Sequence, residues 1–243
     1  FYYPKGSMSQ HKRLLLDSHG LGFVVRSPKA HILIEKIKVV EGESYGLKGN
    51  SFSEYVSPKD FFNNREVLTS NWQGYSLQKT EQHTIKCYLN DRLQAGGIGW
   101  MKFEDLVKNK ETVKLHKVYV PAAHGSEIQV LGYPFYGEPN SVCSQTYLVV
   151  GYDATRHNLT KSQCLNIIAY MKTQFFRYLV SIKKITQNGP RGVYQFVPLQ
   201  DFTSNSDIDW NKSIGEIDQQ LYQKYRLTQE EIDFIESRVR PME

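Results

Sequence analysis

The feature that most constrains this chain is the stretch from Thr160 to Pro198, where a long apolar periodicity runs into a hard stop. Thr160 and Gln163 have the spacing of a capping box, in which each side chain satisfies a backbone N–H at the start of a helix. Behind them Cys164, Ile168, Met171, Phe175, Leu179 and Ile182 recur at steps of three and four residues. That pattern predicts one helix of about six turns with a single buried stripe. Lys172 and Arg177 fall off the stripe, and Lys183 and Lys184 sit in the last turn, where cations suit the helix dipole. Gln187-Asn-Gly-Pro-Arg-Gly192 must then leave the helix, because glycine admits left-handed backbone and proline cannot continue the ladder. Val193-Tyr-Gln-Phe-Val197 reads as a strand.

The charge of this region is one-sided. Between Asp153 and Asp201 the chain carries Arg156, Lys161, Lys172, Arg177, Lys183, Lys184 and Arg191 and no acidic residue. The net charge of +5 is modest, yet residues 154–200 hold seven positive charges while the tail from Asp201 on is about five negative. A buried stripe with an uncompensated basic remainder is the electrostatic footprint of a surface that meets a polyanion. The plainer alternative is a solvated helix face that happens to be basic.

With 243 residues, sixteen Tyr and twelve Phe, the chain can bury a sizeable core and does not have the composition of a disordered one. Cys87, Cys143 and Cys164 are odd in number and widely spaced, so neither a disulfide framework nor a zinc ribbon is indicated. Reduced, cytoplasmic use is expected. No apolar run approaches a membrane span and no signal-peptide pattern occurs. The chain opens at Phe1-Tyr-Tyr-Pro4, and further sequence upstream is expected.

Along the chain, Ser27-Pro28 signals a helix start, with Ile32, Leu33 or Ile34, and Ile37 expected inside and an end before Gly42. From Ser51 the texture changes to short strand-like runs, at Thr84–Leu89, Ile98–Phe103, Lys117–Val120 and Thr146–Val150, separated by turns. A short helix is expected at Glu104–Lys108, and Thr228-Gln-Glu-Glu231 marks a last helix. This is an α+β texture, a mixed short-stranded sheet packed on one long helix. Three stretches are expected: 1–50 as a helical or linker segment, 51–202 as the main domain, and 203–243 as an acidic loop with a small helical extension.

Much familiar chemistry is missing. Gly96-Gly97-Ile98-Gly99 lacks the spacing of a phosphate or dinucleotide loop. No two prolines are adjacent, which removes the Asn-Pro-Pro-aromatic motif of amino-methylating enzymes, and no lysine has an acidic residue two positions before it, as metal-carboxylate nucleases usually do. Cys143 with His124 or His157 could form a nucleophilic pair, but a buried packing cysteine explains Cys143 better. Asp207 and Asp209 read as a solvated acidic loop before they read as a cation site. No catalytic or metal-ligating residue is assigned in this chain.

Several segments, in order, resemble a known family: Ser51–Ser57, Gly96–Trp100, Lys117–Ala123, Glu138–Tyr147, Tyr170–Leu179, Val193–Phe202 and Leu221–Tyr225. They look like the C-terminal target-recognition region of bacterial restriction–modification adenine-N6 DNA methyltransferases, and are similar to the target-recognition domains of type I specificity subunits. The likeness covers most of residues 51–243; the acidic stretch Ser204–Asp218 departs from it. The resemblance implies a module that reads double-stranded DNA for a methyltransferase domain, and in some members an endonuclease domain, lying upstream or in trans. It implies S-adenosylmethionine for that missing domain and no cofactor here.

On that reading Lys172, Arg177, Lys183, Lys184 and Arg191 face phosphates, each contact releasing counterions. Base reading calls for forked donors and amides on a loop that enters the major groove. Asn63, Asn64, Arg65, Asn71, Gln73 and Gln78 form one such group, and Gln187 with Asn188 a second. Turn capping is the alternative for any single amide among them. A protein-docking module that uses the acidic tail, or a divergent metal-dependent nuclease, are the rival functions.

Overall fold

The computed structural model describes residues 13–16, 22–25, 28–42, 45, 51–57, 74–89, 97–106, 110–124, 129–151 and 158–242. Strands β1 (Arg13–Leu16) and β2 (Gly22–Val25) pair antiparallel and lead into helix α1 (Pro28–Glu41). Then follow β3 (Val56–Ser57), β4 (Ile85–Tyr88), β5 (Ile98–Met101), β6 (Lys117–Pro121), β7 (Phe135–Gly137), β8 (Ser141–Cys143) and β9 (Tyr147–Val150). Helices α2 (Lys161–Lys172), α3 (Gln174–Lys183), α4 (Ile214–Lys224) and α5 (Gln229–Arg238) complete the chain. The fold is α+β.

Two small sheets carry it. One is antiparallel, in the order β3-β9-β6-β7; in the other, order β5-β4-β8, β4 runs antiparallel to β5 and parallel to β8. Because side chains alternate along a strand, β6 and β9 serve two cores. Val118, Val120, Leu148 and Val150 face the helices, whereas Tyr119 and Val149 face the small sheet. Tyr88, Tyr119, Phe135 and Tyr147 close that second interface with ring centroids 4.9–6.4 Å apart. The molecule is therefore layered, with helices on the larger sheet and the larger sheet on the smaller one.

The helical core draws on α1, the larger sheet and all four C-terminal helices. Ala30, Leu33, Ile34 and Ile37 of α1 share it with Phe175, Phe176 and Leu179 of α3 and with Ile217, Leu221 and Ile235 of the C-terminal helices. Full burial of such side chains is worth about 1.5–3 kcal/mol each, so the boundaries expected near residues 50 and 202 do not separate independent cores. Ile32, expected inside, stands exposed on the outer face of α1. Gly42 ends that helix with φ of +87°, the left-handed stop its sequence predicts.

Both capping boxes form. Thr160 Oγ1 accepts from Gln163 N at 3.2 Å while Gln163 Oε1 accepts from Thr160 N at 2.8 Å; at α5 the Glu231 carboxylate accepts from Thr228 N at 2.7 Å and from the Thr228 hydroxyl at 3.1 Å. The four expected strand runs are β4, β5, β6 and β9. The single long helix is not present: it breaks at Thr173, whose ψ of 150° ends α2 and restarts the chain as α3. Val193–Val197 is not a strand either. Arg191–Tyr194 forms a 3-10 turn, and Pro198 makes only an isolated bridge to Ser51. Among the described residues no helix is long and apolar enough to cross a membrane.

Candidate nucleic-acid interface

The break at Thr173 decides the fate of one expected phosphate contact. A helix that stops and restarts leaves backbone acceptors at one end and donors at the next. Thr173 Oγ1 accepts from Phe176 N at 3.1 Å, and Asp218 of α4 accepts from Gln174 N at 2.8 Å and Phe175 N at 2.9 Å. The other end is closed by Arg177. Its Nε donates to Lys172 O at 3.1 Å and Thr173 O at 3.2 Å, one terminal nitrogen to Gln129 O at 3.3 Å and the other to Arg240 O at 2.7 Å. Arg177 is 0% exposed, so it is withdrawn from the phosphate-facing set: its guanidinium staples α2, the 129 loop and the C-terminal segment together. Burial pulls its pKa down to about 10 against the attraction of Asp218, and burial pushes Asp218 up to about 7 against its two N–H donors and Arg177.

The other end of α3 is built differently. After Lys183 the chain runs through an exposed turn, with Ile185, Thr186, Gln187, Asn188, Pro190, Arg191 and Gly192 at the surface and Gly189 beneath them. Its backbone is pinned to the extension of β6: His124 N donates to Gln187 O at 2.7 Å, and Gly189 N donates to Ala122 O at 2.8 Å. Lys184 Nζ donates to His124 O at 3.0 Å, and Arg191 Nε donates to Ser53 O. Lys183 is half-buried, donates to Gln195 Oε1 and lies 5.9 Å from the centroid of the Phe196 ring; burial lowers its pKa. The structure thus gathers Lys183, Lys184, Gln187, Asn188 and Arg191 at one corner, holding the backbone and presenting the two amides.

Two polar atoms near this corner lack partners among the described residues, His124 Nε2 and the hydroxyl of the fully buried Tyr194. A Cβ built on Gly189 would lie 3.7 Å from that hydroxyl, which puts it directly behind the turn. Leaving a buried polar atom unsatisfied costs about 1–3 kcal/mol. Burial and nearby Lys184 lower the His124 pKa, with Gln129 opposing.

The remaining expected contacts lie elsewhere. Lys172 ends α2, half-buried at the opposite end of α3 from the turn, with its ammonium 5.9 Å from the Tyr133 ring centroid. Gln78 is exposed beside the small sheet, where the Ser76 hydroxyl, and not the Gln78 amide, caps the turn by accepting from Gln78 N at 3.3 Å. Asn63, Asn64, Arg65, Asn71 and Gln73 lie outside the described residues.

Other reactive groups are inward. Cys143 is buried and its thiol is raised well above its ordinary range by burial; Cys87 and Cys164 are pushed up to about 12. Lys117 is fully buried, donates to Leu115 O at 2.7 Å, and is pulled down to about 8 by desolvation. Much of the acidic tail is engaged internally: Glu230 pairs with Lys29 at 2.7 Å, Glu231 with Lys36 at 2.6 Å and Asp207 with Lys224 at 2.9 Å. Helix α4 is not among the expected elements, although Ser213 and Glu216 form a third capping box that signals its start. Comparison with protein families, with characterised proteins and with solved structures finds no match to this chain.

Proposed function

We propose that this chain is a sequence-reading module for duplex DNA, serving a restriction–modification adenine-N6 methyltransferase whose catalytic domain, with its S-adenosylmethionine, lies outside this chain. The observation that supports the reading best is the pinned turn after α3, where Gln187 and Asn188 are exposed between Lys184 and Arg191. Asn and Gln are the side chains that pair bidentately with adenine edges, and flanking cations position such a loop on phosphates. No acidic residue occurs from residue 154 to 200. The docking alternative is less favoured, since Asp218 is buried and Glu231, Glu230 and Asp207 are each paired with a lysine of the same chain. Three free, buried cysteines fit a cytoplasmic setting.

The test is selection of bound duplexes from a randomised pool, followed by a salt titration of the winner without metal. The reading expects one enriched motif and an affinity that falls steeply with salt. Recovery of an unenriched pool would remove sequence reading from the chain.

A further inference from the structure

The surface where α2 runs beside the edge strand β7 carries a different arrangement of charge. Lys161 and Lys172 stand at the two ends of α2 and make no ion pair among the described residues. At a rise of about 1.5 Å per residue, the helix sets them roughly 16 Å apart. Each lies against a tyrosine of the β7 segment: Lys172 is 5.9 Å from the ring centroid of Tyr133, and Lys161 is 5.6 Å from that of Tyr136. His116 stacks on Tyr136 at 5.9 Å between centroids and 25° between planes, with Nδ1 2.5 Å from the tyrosine hydroxyl. Leu165 is exposed on α2 between the two lysines.

Tyr133 is 55% exposed, and its backbone is fixed. Pro134 restricts the residue before it to extended backbone. Gly132 packs so closely on Pro121 that a Cβ would come within 2.6 Å of the proline ring. Tyr133 lies close enough to the buried Arg177 to act on its charge, yet more than half of its surface stays open to solvent.

We propose that this stripe grips a single-stranded segment of nucleic acid, with a base stacked on Tyr133, Tyr136 guiding the next part of the strand, and Lys161 and Lys172 on the phosphates. Unpaired cations at both ends call for a polyanion, and the rings beside them call for a flat partner. Only unstacked bases offer both, because a duplex hides its base faces. This goes beyond duplex reading and uses a surface apart from the turn after α3.

Fluorescence anisotropy with a short labelled oligothymidylate, an abasic strand of equal phosphate number, and a duplex of equal length tests it on the full chain. The wild type should prefer oligothymidylate to the abasic strand. Tyr133→Ala should weaken oligothymidylate binding by about fivefold or more, Tyr133→Phe should restore it, and the abasic strand should not register the change. Lys161→Ala with Lys172→Ala should flatten the salt dependence for both single strands. Equal binding of the abasic strand, indifference to Tyr133→Ala, or displacement by polyglutamate as effective as by oligothymidylate would each overturn the proposal. The duplex arm separates this surface from the other, since loss of duplex binding with Tyr133-dependent single-strand binding intact sinks only the duplex reading.

Discussion

The two ends of α3 carry similar charges in the sequence and opposite roles in the molecule. At the N-terminal end Arg177 is enclosed, and its donors are consumed by four carbonyls of the chain. At the C-terminal end Lys184 and Arg191 also hold carbonyls, yet they brace a turn whose amides face solvent. The difference comes from what each end must satisfy. A broken helix creates orphan backbone groups in a dry place, and a buried cation answers them; a turn at the surface can leave its side chains to water. Basic charge near a helix terminus therefore says little about partners until the path of the backbone is known.

The comparison breaks most sharply at Arg177. Arg177→Ala should cost about 2–5 kcal/mol of stability, because four carbonyls lose their donor and each buried group left unsatisfied costs about 1–3 kcal/mol unless water reaches it, read as a lowered denaturant midpoint. Arg177→Lys should recover only part, because one ammonium cannot reproduce the planar fork. A loss under about 1 kcal/mol would mean that the carbonyls find water instead.

Asp218 supplies the next effect, through pH. The folded protein keeps a proton on this carboxyl up to about 7, whereas the unfolded chain releases it near 3.8. Its stabilising contribution is thus complete below 3.8 and is lost as pH rises through about 7. Asp218→Asn stays neutral throughout, so the stability difference between variant and wild type should move in the variant's favour across that window. A difference that is flat with pH would show the carboxylate ionised in both states, with the N–H donors of Gln174 and Phe175 outweighing burial.

What the sequence disclosed follows the same division. Local rules with a spacing, such as Thr160 with Gln163 or Thr228 with Glu231, were legible because both partners lie within one turn. Strands β4, β5, β6 and β9 were legible from their β-branched and aromatic runs bounded by turns. The break at Thr173 was not. It flips one ψ and leaves Met171, Phe175, Leu179 and Ile182 buried, so the apolar stripe barely registers it. Its causes are a threonine competing locally for helix N–H groups and a carboxylate 45 residues on, and only the first lies inside any window. Val193, Tyr194 and Val197 look like a strand because all three are buried, but Val193 N donates to Pro190 O, Val197 N donates to Tyr194 O, and Val197 O accepts from Phe52 N. The corner of Lys184, Gln187, Asn188 and Arg191 was legible as composition, whereas its anchorage to Ala122 and His124 was not.

At the exposed end, the amides should affect choice of site more than overall grip. Gln187→Ala or Asn188→Ala should narrow the gap between the selected duplex and a scrambled one by about 1–3 kcal/mol, the value of one bidentate base contact. Competition between the two duplexes on the same variant measures it directly. Equal losses on both would reassign the amide to capping or to phosphate.

Lys184 and Arg191 carry the smallest expected effect and the one most easily mistaken for another. A phosphate contact adds about 0.9 to the slope of log affinity against log salt, which at physiological ionic strength amounts to about 1 kcal/mol. Lys184→Ala and Arg191→Ala should each remove that much from selected and scrambled duplexes alike and flatten the salt titration by one contact. Both residues also brace the turn, through His124 O and Ser53 O, and a loosened turn would mimic weaker binding. The two causes leave different traces. A lost phosphate contact lowers the slope and spares discrimination, whereas a lost brace spares the slope and erodes discrimination by freeing Gln187 and Asn188. An unchanged slope with reduced preference would make both cations structural, like Arg177 at the other end of the helix.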